Sequence, residues 1–246
     1  MSPVQVIILA AGQGTRLKPL TLSLPKCLVE VGGQSFLKRN LDHLARTPGL
    51  NICMVTGFQE QKIRIFLQQG AGTSHIHLCT NPLYAVTNNA YSLWIALKEH
   101  PGPFLLLDGD LLYEGRLLDR LLEDPREDLL VVDTDTGRLN EEAMKVSCNA
   151  DRQTLTAISK AIPIPDACGE SIGMGKFSGA WARLLLRSLT EKMRETHHHA
   201  SYYEDVIAPL LPSAPPLKIL PTDGLAWDEV DTPEDLARAN SLWLNH

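Results

Sequence analysis

Residues 6–10, VIILA, form an unbroken apolar run that passes directly into AGQGTRL, and this junction constrains the fold more than any other stretch. A strand with no polar side chain must be covered on both faces, as in the interior of a parallel sheet flanked by helices. Further strand-length apolar runs at 52–55, 76–79, 104–107 and 129–132 alternate with helix-like segments at 36–44, 63–67, 91–97 and 117–122. Ser35 stands where an N-cap is expected, and Phe36, Leu37, Leu41 and Leu44 share one helical face. The rhythm predicts an α/β fold with a mixed, mostly parallel sheet and helices on both faces. After about Asp133 it breaks: strands near 146–149 and 154–158 flank an Asp151-Arg152 turn. A Pro- and Gly-rich stretch follows, then helices near 180–195 and 203–211. Short strands at 217–220 and 227–230 precede a C-terminal helix opened by Pro233. The expectation is one domain over 1–246 with a small β-rich insertion, residues 1–133 forming a nucleotide-binding half and 134–246 an acceptor-binding half.

Composition narrows the function classes. The 246 residues carry 23 Lys plus Arg against 29 Asp plus Glu, a net charge of −6, which argues against a general nucleic-acid binder. No apolar run approaches the roughly 18 residues that a membrane helix needs, so no membrane partner is expected. The N-terminus lacks the basic leader of a signal peptide. Five cysteines, odd in number and never spaced C-x-x-C, predict reduced thiols in a cytoplasmic protein, with neither a disulfide framework nor a zinc site. A homodimer stays open, because the C-terminal helix carrying Trp243 could pack internally or on a partner.

The chemistry begins in the first loop. In Leu9-Ala10-Ala11-Gly12-Gln13-Gly14-Thr15-Arg16, small residues let backbone approach a ligand and successive N–H groups can hold anionic oxygens. Arg16 adds a forked cationic donor, and Lys26 supplies a second cation. The loop is neither a Walker A motif nor G-x-G-x-x-G followed by an acid. The run at 104–107 ends in Asp108-Gly109-Asp110, and a second acidic strand end, Trp227-Asp228-Glu229-Val230-Asp231, lies far along the chain. Ligand crevices of open α/β sheets lie at the carboxyl ends of strands. Acids gathered there call for a cation, and Mg²⁺ suits carboxylate and phosphate oxygens. Glu234 and Asp235 read instead as first-turn helix acids.

The segment LAAGQGTRLKPLTLSLPKCLVEVGGQSFL resembles the signature of the nucleoside-diphosphate-sugar pyrophosphorylase-like nucleotidyltransferases, and the likeness runs through nearly the whole chain. It implies the Rossmann-like nucleotide-diphospho-sugar transferase fold. It implies that Leu9, Ala10, Ala11, Gly12, Gly14 and Thr15 cradle the nucleotide, with Asn88 and Asp108 also on it. Arg16 and Lys26 would then hold phosphates, and Asp110 and Asp231 a Mg²⁺ ion.

The segment Asn81-Pro82-Leu83-Tyr84-Ala85-Val86-Thr87-Asn88-Asn89-Ala90-Tyr91-Ser92 is rich in side-chain hydrogen-bonding groups just before a helix, which Thr87 or Asn88 could cap. It resembles one subfamily, the phosphocholine and 2-aminoethylphosphonate cytidylyltransferases, as do E-E-A-M-K-V from Glu141, I-S-K from Ile158 and G-E-S-I-G from Gly169. The resemblance implies CTP as donor, a small phosphate- or phosphonate-bearing acceptor, and pyrophosphate as product. A sugar-1-phosphate or inositol-1-phosphate nucleotidyltransferase is the alternative. Lys145 is expected to clamp the acceptor phosphate. Of Tyr202, Tyr203, Glu204 and Asp205, whose aromatic faces and carboxylates suit an ammonium group, Tyr203 and Glu204 are favoured, with Asp205 close behind. The run His197-His198-His199 reads as a solvated linker.

Overall fold

In the computed structural model, which describes residues 4–70 and 76–243, the first apolar run becomes a central strand of a nine-stranded sheet. The first three residues of the N-terminal stretch discussed above lie outside the described residues. The first half alternates as its pattern predicts. β1 (Val4–Ala10), a two-residue hairpin of β2 (Glu30–Val31) and β3 (Gln34–Ser35), α1 (Phe36–Ala45), β4 (Leu50–Thr56), α2 (Glu60–Gln69), β5 (Ile76–Thr80) and α3 (Asn89–Glu99) come first. Then follow β6 (Phe104–Asp108), β7 (Leu111–Tyr113), α4 (Arg116–Glu123) and β8 (Leu129–Asp133). The Ser35 hydroxyl accepts from the Lys38 backbone N–H at 3.2 Å, the N-cap expected for α1.

The run at 6–10 is apolar throughout because β1 separates two cores. Ile7 and Leu9 pack into one with Leu93 and Leu97 of α3 and with Trp181 and Leu185, whereas Val6, Ile8 and Ala10 pack into the other with residues of α1, α2 and α4. β5, β4, β1 and β6 pair in parallel, each to the next.

Beyond Asp133 the chain adds β9 (Lys145–Cys148), β10 (Leu155–Ile158), β11 (Gly169–Phe177), α5 (Gly179–Lys192), α6 (Glu204–Ile207), β12 (Lys218–Pro221), β13 (Trp227–Glu229) and α7 (Pro233–Leu242). β9 and β10 form the hairpin expected around Asp151 and Arg152, and they extend the main sheet through β11. β11 itself is a correction. The Pro- and Gly-rich stretch contains a nine-residue strand that runs antiparallel to β6, β8 and β9 at the middle of the sheet. Its glycines are there for close approach. A Cβ on Gly169 would run into the Asp133 carbonyl oxygen, and Gly173, at φ +78°, would place one 2.5 Å from Asp108 Oδ2. Among the described residues no helix is long and apolar enough to cross a membrane.

Candidate active site

β1 and β6 end side by side, with Leu9 opposite Asp108, and their following loops open a cleft of about 280 Å³. Leu9, Ala10, Ala11, Gly12, Gly14, Thr15 and Arg16 line one wall. Gly14 sits at φ +58°, a left-handed turn that brings the loop against Lys26. The opposite wall is acidic: Asp108 and Asp110 at the end of β6, Glu229 and Asp231 at the end of β13. β13 reaches this place because it pairs antiparallel with β7, which directly follows Asp110. The start of α3 closes the cleft with Asn88, Asn89 and Ser92, and the Asn88 side chain accepts from the Asn89 backbone N–H at 2.8 Å.

Charge is concentrated between the walls. The Lys26 ammonium donates to Asp110 Oδ2 at 2.5 Å and to Asp231 Oδ1 at 2.6 Å, while Arg16 Nη2 donates to Asp231 Oδ2 at 2.7 Å. Burial of Lys26 (8% exposed) opposes its charge, but Asp110 and Asp231 outweigh this and raise its pKa. Desolvation works against the Asp231 carboxylate too, and Lys26 and Arg16 more than offset it, holding its pKa below the usual value. Lys26 lowers the Glu229 pKa too, but not enough to offset what raises it. Desolvation, then Asp110 and Asp231, push its carboxyl up to about 8. Carboxylate oxygens of Asp110, Glu229 and Asp231 all lie within 4.8 Å of one another. An all-oxygen donor set, already drawing in the Lys26 ammonium, fits a hard divalent cation.

The favoured acceptor residues sit elsewhere than expected. Tyr203 is fully buried, with its phenol against Asp108 (3.4 Å), and Glu204 is buried beside it, so neither lines the cleft. Asp205 is exposed and accepts from the Tyr202 backbone N–H. Tyr202 is the member of the group that lines the cleft. Tyr203 and Glu204 instead underlie Asp108, whose pKa is raised by burial and by Glu204.

Glu204 carries a stability cost that titrates. Burial raises its carboxyl from 4.5 to about 7, and its Oε2 has no hydrogen-bond partner among the described residues. A raised folded-state value means that the folded chain holds the proton longer than the unfolded one. The neutral acid is therefore tolerated at low pH, and stability falls as pH rises from about 4.5 to about 7. Glu204→Gln is expected to be about 1–3 kcal/mol more stable than the parent at pH 8, with the gain vanishing below pH 5. Denaturant melts at both pH values check this.

Lys145 is also outside the cleft. Its ammonium is buried and donates to the carbonyls of Asn140 (3.2 Å) and Glu141 (3.1 Å), pinning the segment before β9. The His run is exposed or partly exposed, and His197 and His198 stand beside Glu195.

Glu229, Gly109 and Asn89, to which the sequence pattern alone gives no role, also line the cleft. For Glu229 the signal was strand periodicity: residues two apart share a face. Glu229 and Asp231 point to the cleft, whereas Asp228 turns away to pair with Arg238 at 2.8 Å.

Residues 5–134 match the sequence family described as nucleotidyl transferase. The bifunctional IPC transferase and DIPP synthase of Aquifex aeolicus is 28% identical over 235 residues, 95% of this chain and 50% of that protein. The CMP-5'-(3-aminopropyl)phosphonate synthase of Streptomyces rubellomurinus is 32% identical over 123 residues, 50% of this chain and 20% of that protein. The chain thus spans half or less of the length of these curated relatives. Among solved structures, the CTP:phosphocholine cytidylyltransferase of Streptococcus pneumoniae superposes with a TM-score of 0.76 at 19% identity, over 98% of this chain and 99% of that one, a likeness of fold.

Proposed function

This chain belongs to the nucleotidyl transferase family, and from that premise we propose that it is a Mg²⁺-dependent cytidylyltransferase, transferring CMP from CTP to a small phosphate- or phosphonate-bearing acceptor. The observation that carries the reading is the Lys26 ammonium seated between Asp110 and Asp231 at the mouth of a glycine-lined loop. Such a place is built to bring negative charges together. The acceptor oxygen forms a bond to the α-phosphorus of CTP as the bond to the bridging oxygen breaks, and pyrophosphate leaves. The acceptor is already an oxyanion, so no protein nucleophile is required. The work of the chain is positioning and charge neutralisation.

Each wall has its part in this reading. Backbone N–H groups around Gly12 and Gly14 cradle triphosphate oxygens, and Arg16 and Lys26 neutralise them. Asn88, Asn89 and Ser92 offer donors and acceptors for the polar edges of the substrates. Asp110 and Asp231, with Glu229 beside them, would hold Mg²⁺. Bound there, the ion would neutralise phosphate oxygens.

Cytidylyl transfer to a phosphonate or phosphocholine follows the products and substrates for which two of the relatives are named. A second reading has its own support. The match to the Aquifex aeolicus IPC transferase covers 95% of this chain, and the aromatic–acid pair suited to a cationic acceptor, Tyr203 and Glu204, lies beneath the cleft. That favours a phosphate carried on an uncharged polyol, such as inositol-1-phosphate. Pyrophosphate release with CTP, UTP, dTTP and GTP against phosphocholine, 2-aminoethylphosphonate, inositol-1-phosphate and glucose-1-phosphate separates the two. Turnover with CTP and a cationic acceptor is expected. Preference for inositol-1-phosphate would replace the acceptor assignment, and no release with CTP and any acceptor would overturn the activity.

A further inference from the structure

Away from the cleft, the edge strand β5 and the end of α3 bring together four side chains that the proposed reaction does not use. His77 and Cys79, two apart on β5, share one face and meet Glu99 and His100 at the carboxyl end of α3. One donor atom from each lies within 4.8 Å of every other. Glu99 Oε2 lies 2.7 Å from His77 Nε2 and accepts from the Cys79 thiol at 3.3 Å. The His77 and His100 rings meet edge-on at 5.6 Å, and His100 Nε2 is buried with no hydrogen-bond partner among the described residues.

We propose that His77, Cys79, Glu99 and His100 form a structural Zn²⁺ site. A surface ion pair between His77 and Glu99 would account for those two residues alone. It leaves unexplained a buried thiol turned onto the carboxylate and a buried ring nitrogen with no hydrogen-bond partner among the described residues. One thiol, two imidazoles and one carboxylate make a borderline-soft, four-donor set of the kind zinc takes in closed tetrahedral sites, and a poor one for Mg²⁺. Zn–N near 2.0 Å and Zn–S near 2.3 Å give tetrahedral edges of about 3.3–3.5 Å. The present donor atoms, all within 4.8 Å of one another, lie within about 1.5 Å of such edges. The Cys53 thiol, 2.9 Å from that of Cys79, backs the site from β4.

The site would staple the end of α3 to an edge strand whose one strand partner among the described residues is β4. α3 begins at the cleft with Asn89 and Ser92, and its 11 residues extend about 16 Å. The zinc site is thus distinct from the acidic cluster of Asp110, Glu229 and Asp231, yet it fixes the far end of the helix that walls the cleft.

The test uses the full chain, reduced and stripped of metal, titrated with Zn²⁺ against a chromophoric chelator and with Co²⁺ by absorption. One tight site is expected, with a thiolate-to-cobalt charge-transfer band and a higher Tm when Zn²⁺ is bound. Cys79→Ser should remove the band. Because Cys79 is buried, the more exposed His77→Ala and Glu99→Gln are the decisive variants: each should weaken Zn²⁺ binding at least about 100-fold and abolish the Tm gain. Asp110→Asn, and His197→Ala with His198→Ala, should leave binding intact. Absence of the thiolate band in the parent chain overturns the site. So does Zn²⁺ affinity that is unchanged by His77→Ala and Glu99→Gln, or lost on removing His197 and His198.

Discussion

Lys26→Ala is expected to lower kcat about 10²- to 10³-fold while the chain still folds, the cost of removing one group of this electrostatic type. Lys26 is the only side chain that bonds both Asp110 and Asp231 among the described residues, so its loss leaves a cluster of three acids, with only Arg16 on Asp231 to offset them, facing an incoming polyanion. The fold should survive because both aspartates keep partial access to water, with side-chain exposures of 27% and 22%. Their repulsion can then be relieved by solvent and counter-ions, and the stability loss should not exceed about 2 kcal/mol. Asp110→Asn should lose turnover to a similar degree. Steady-state pyrophosphate release, read beside a thermal melt, checks both, and near-parental turnover of either variant would remove the site from the reaction.

Gly109→Ala is expected to cost at least about 100-fold in kcat although it changes no charged group. The Gly109 N–H donates to the Leu9 carbonyl at 2.9 Å, so the Asp108–Asp110 turn lies directly on the end of β1. A Cβ at 109 would stand 2.7 Å from that same carbonyl oxygen and 3.0 Å from Ala10 Cβ, both on a rigid central strand. The turn must move instead, and it carries Asp110 away from Lys26. A shift on the order of 1 Å is enough to cost about 10²-fold in a reaction that depends on alignment, and the overpacking should destabilise by about 1–3 kcal/mol. Unchanged turnover with a lowered Tm would show that the turn has slack and that the placement of Asp110 is not set by Gly109.

The sites of these two predictions were unequally legible. Lys26 announces itself as a cation in a small-residue loop. Gly109 reads as an ordinary turn glycine until β1 is seen lying against it. The same holds for β11, where glycines that look like loop punctuation permit close contacts with Asp133 and Asp108. Tyr203 and Glu204 carry the residue types of a cationic-ligand site, but which of four adjacent side chains faces a cleft depends on how a four-residue helix is rolled against its neighbours. Lys145 has the charge of a phosphate clamp, and local backbone carbonyls take up that charge before any ligand could.

By itself the sequence determined what periodicity and local chemistry encode. The alternation of apolar runs with helical faces dictated a sheet covered on both sides, and the small residues after β1 dictated a loop whose backbone can line a cleft. Contacts between distant segments were decided only by the tertiary structure, because strand pairing and helix packing bring together residues that no local pattern links. The convergence of Asp110, Glu229 and Asp231 on Lys26 depends on β13 pairing with β7. The cluster of His77, Cys79, Glu99 and His100 depends on α3 folding back along β5, and a search for C-x-x-C spacing passes over it.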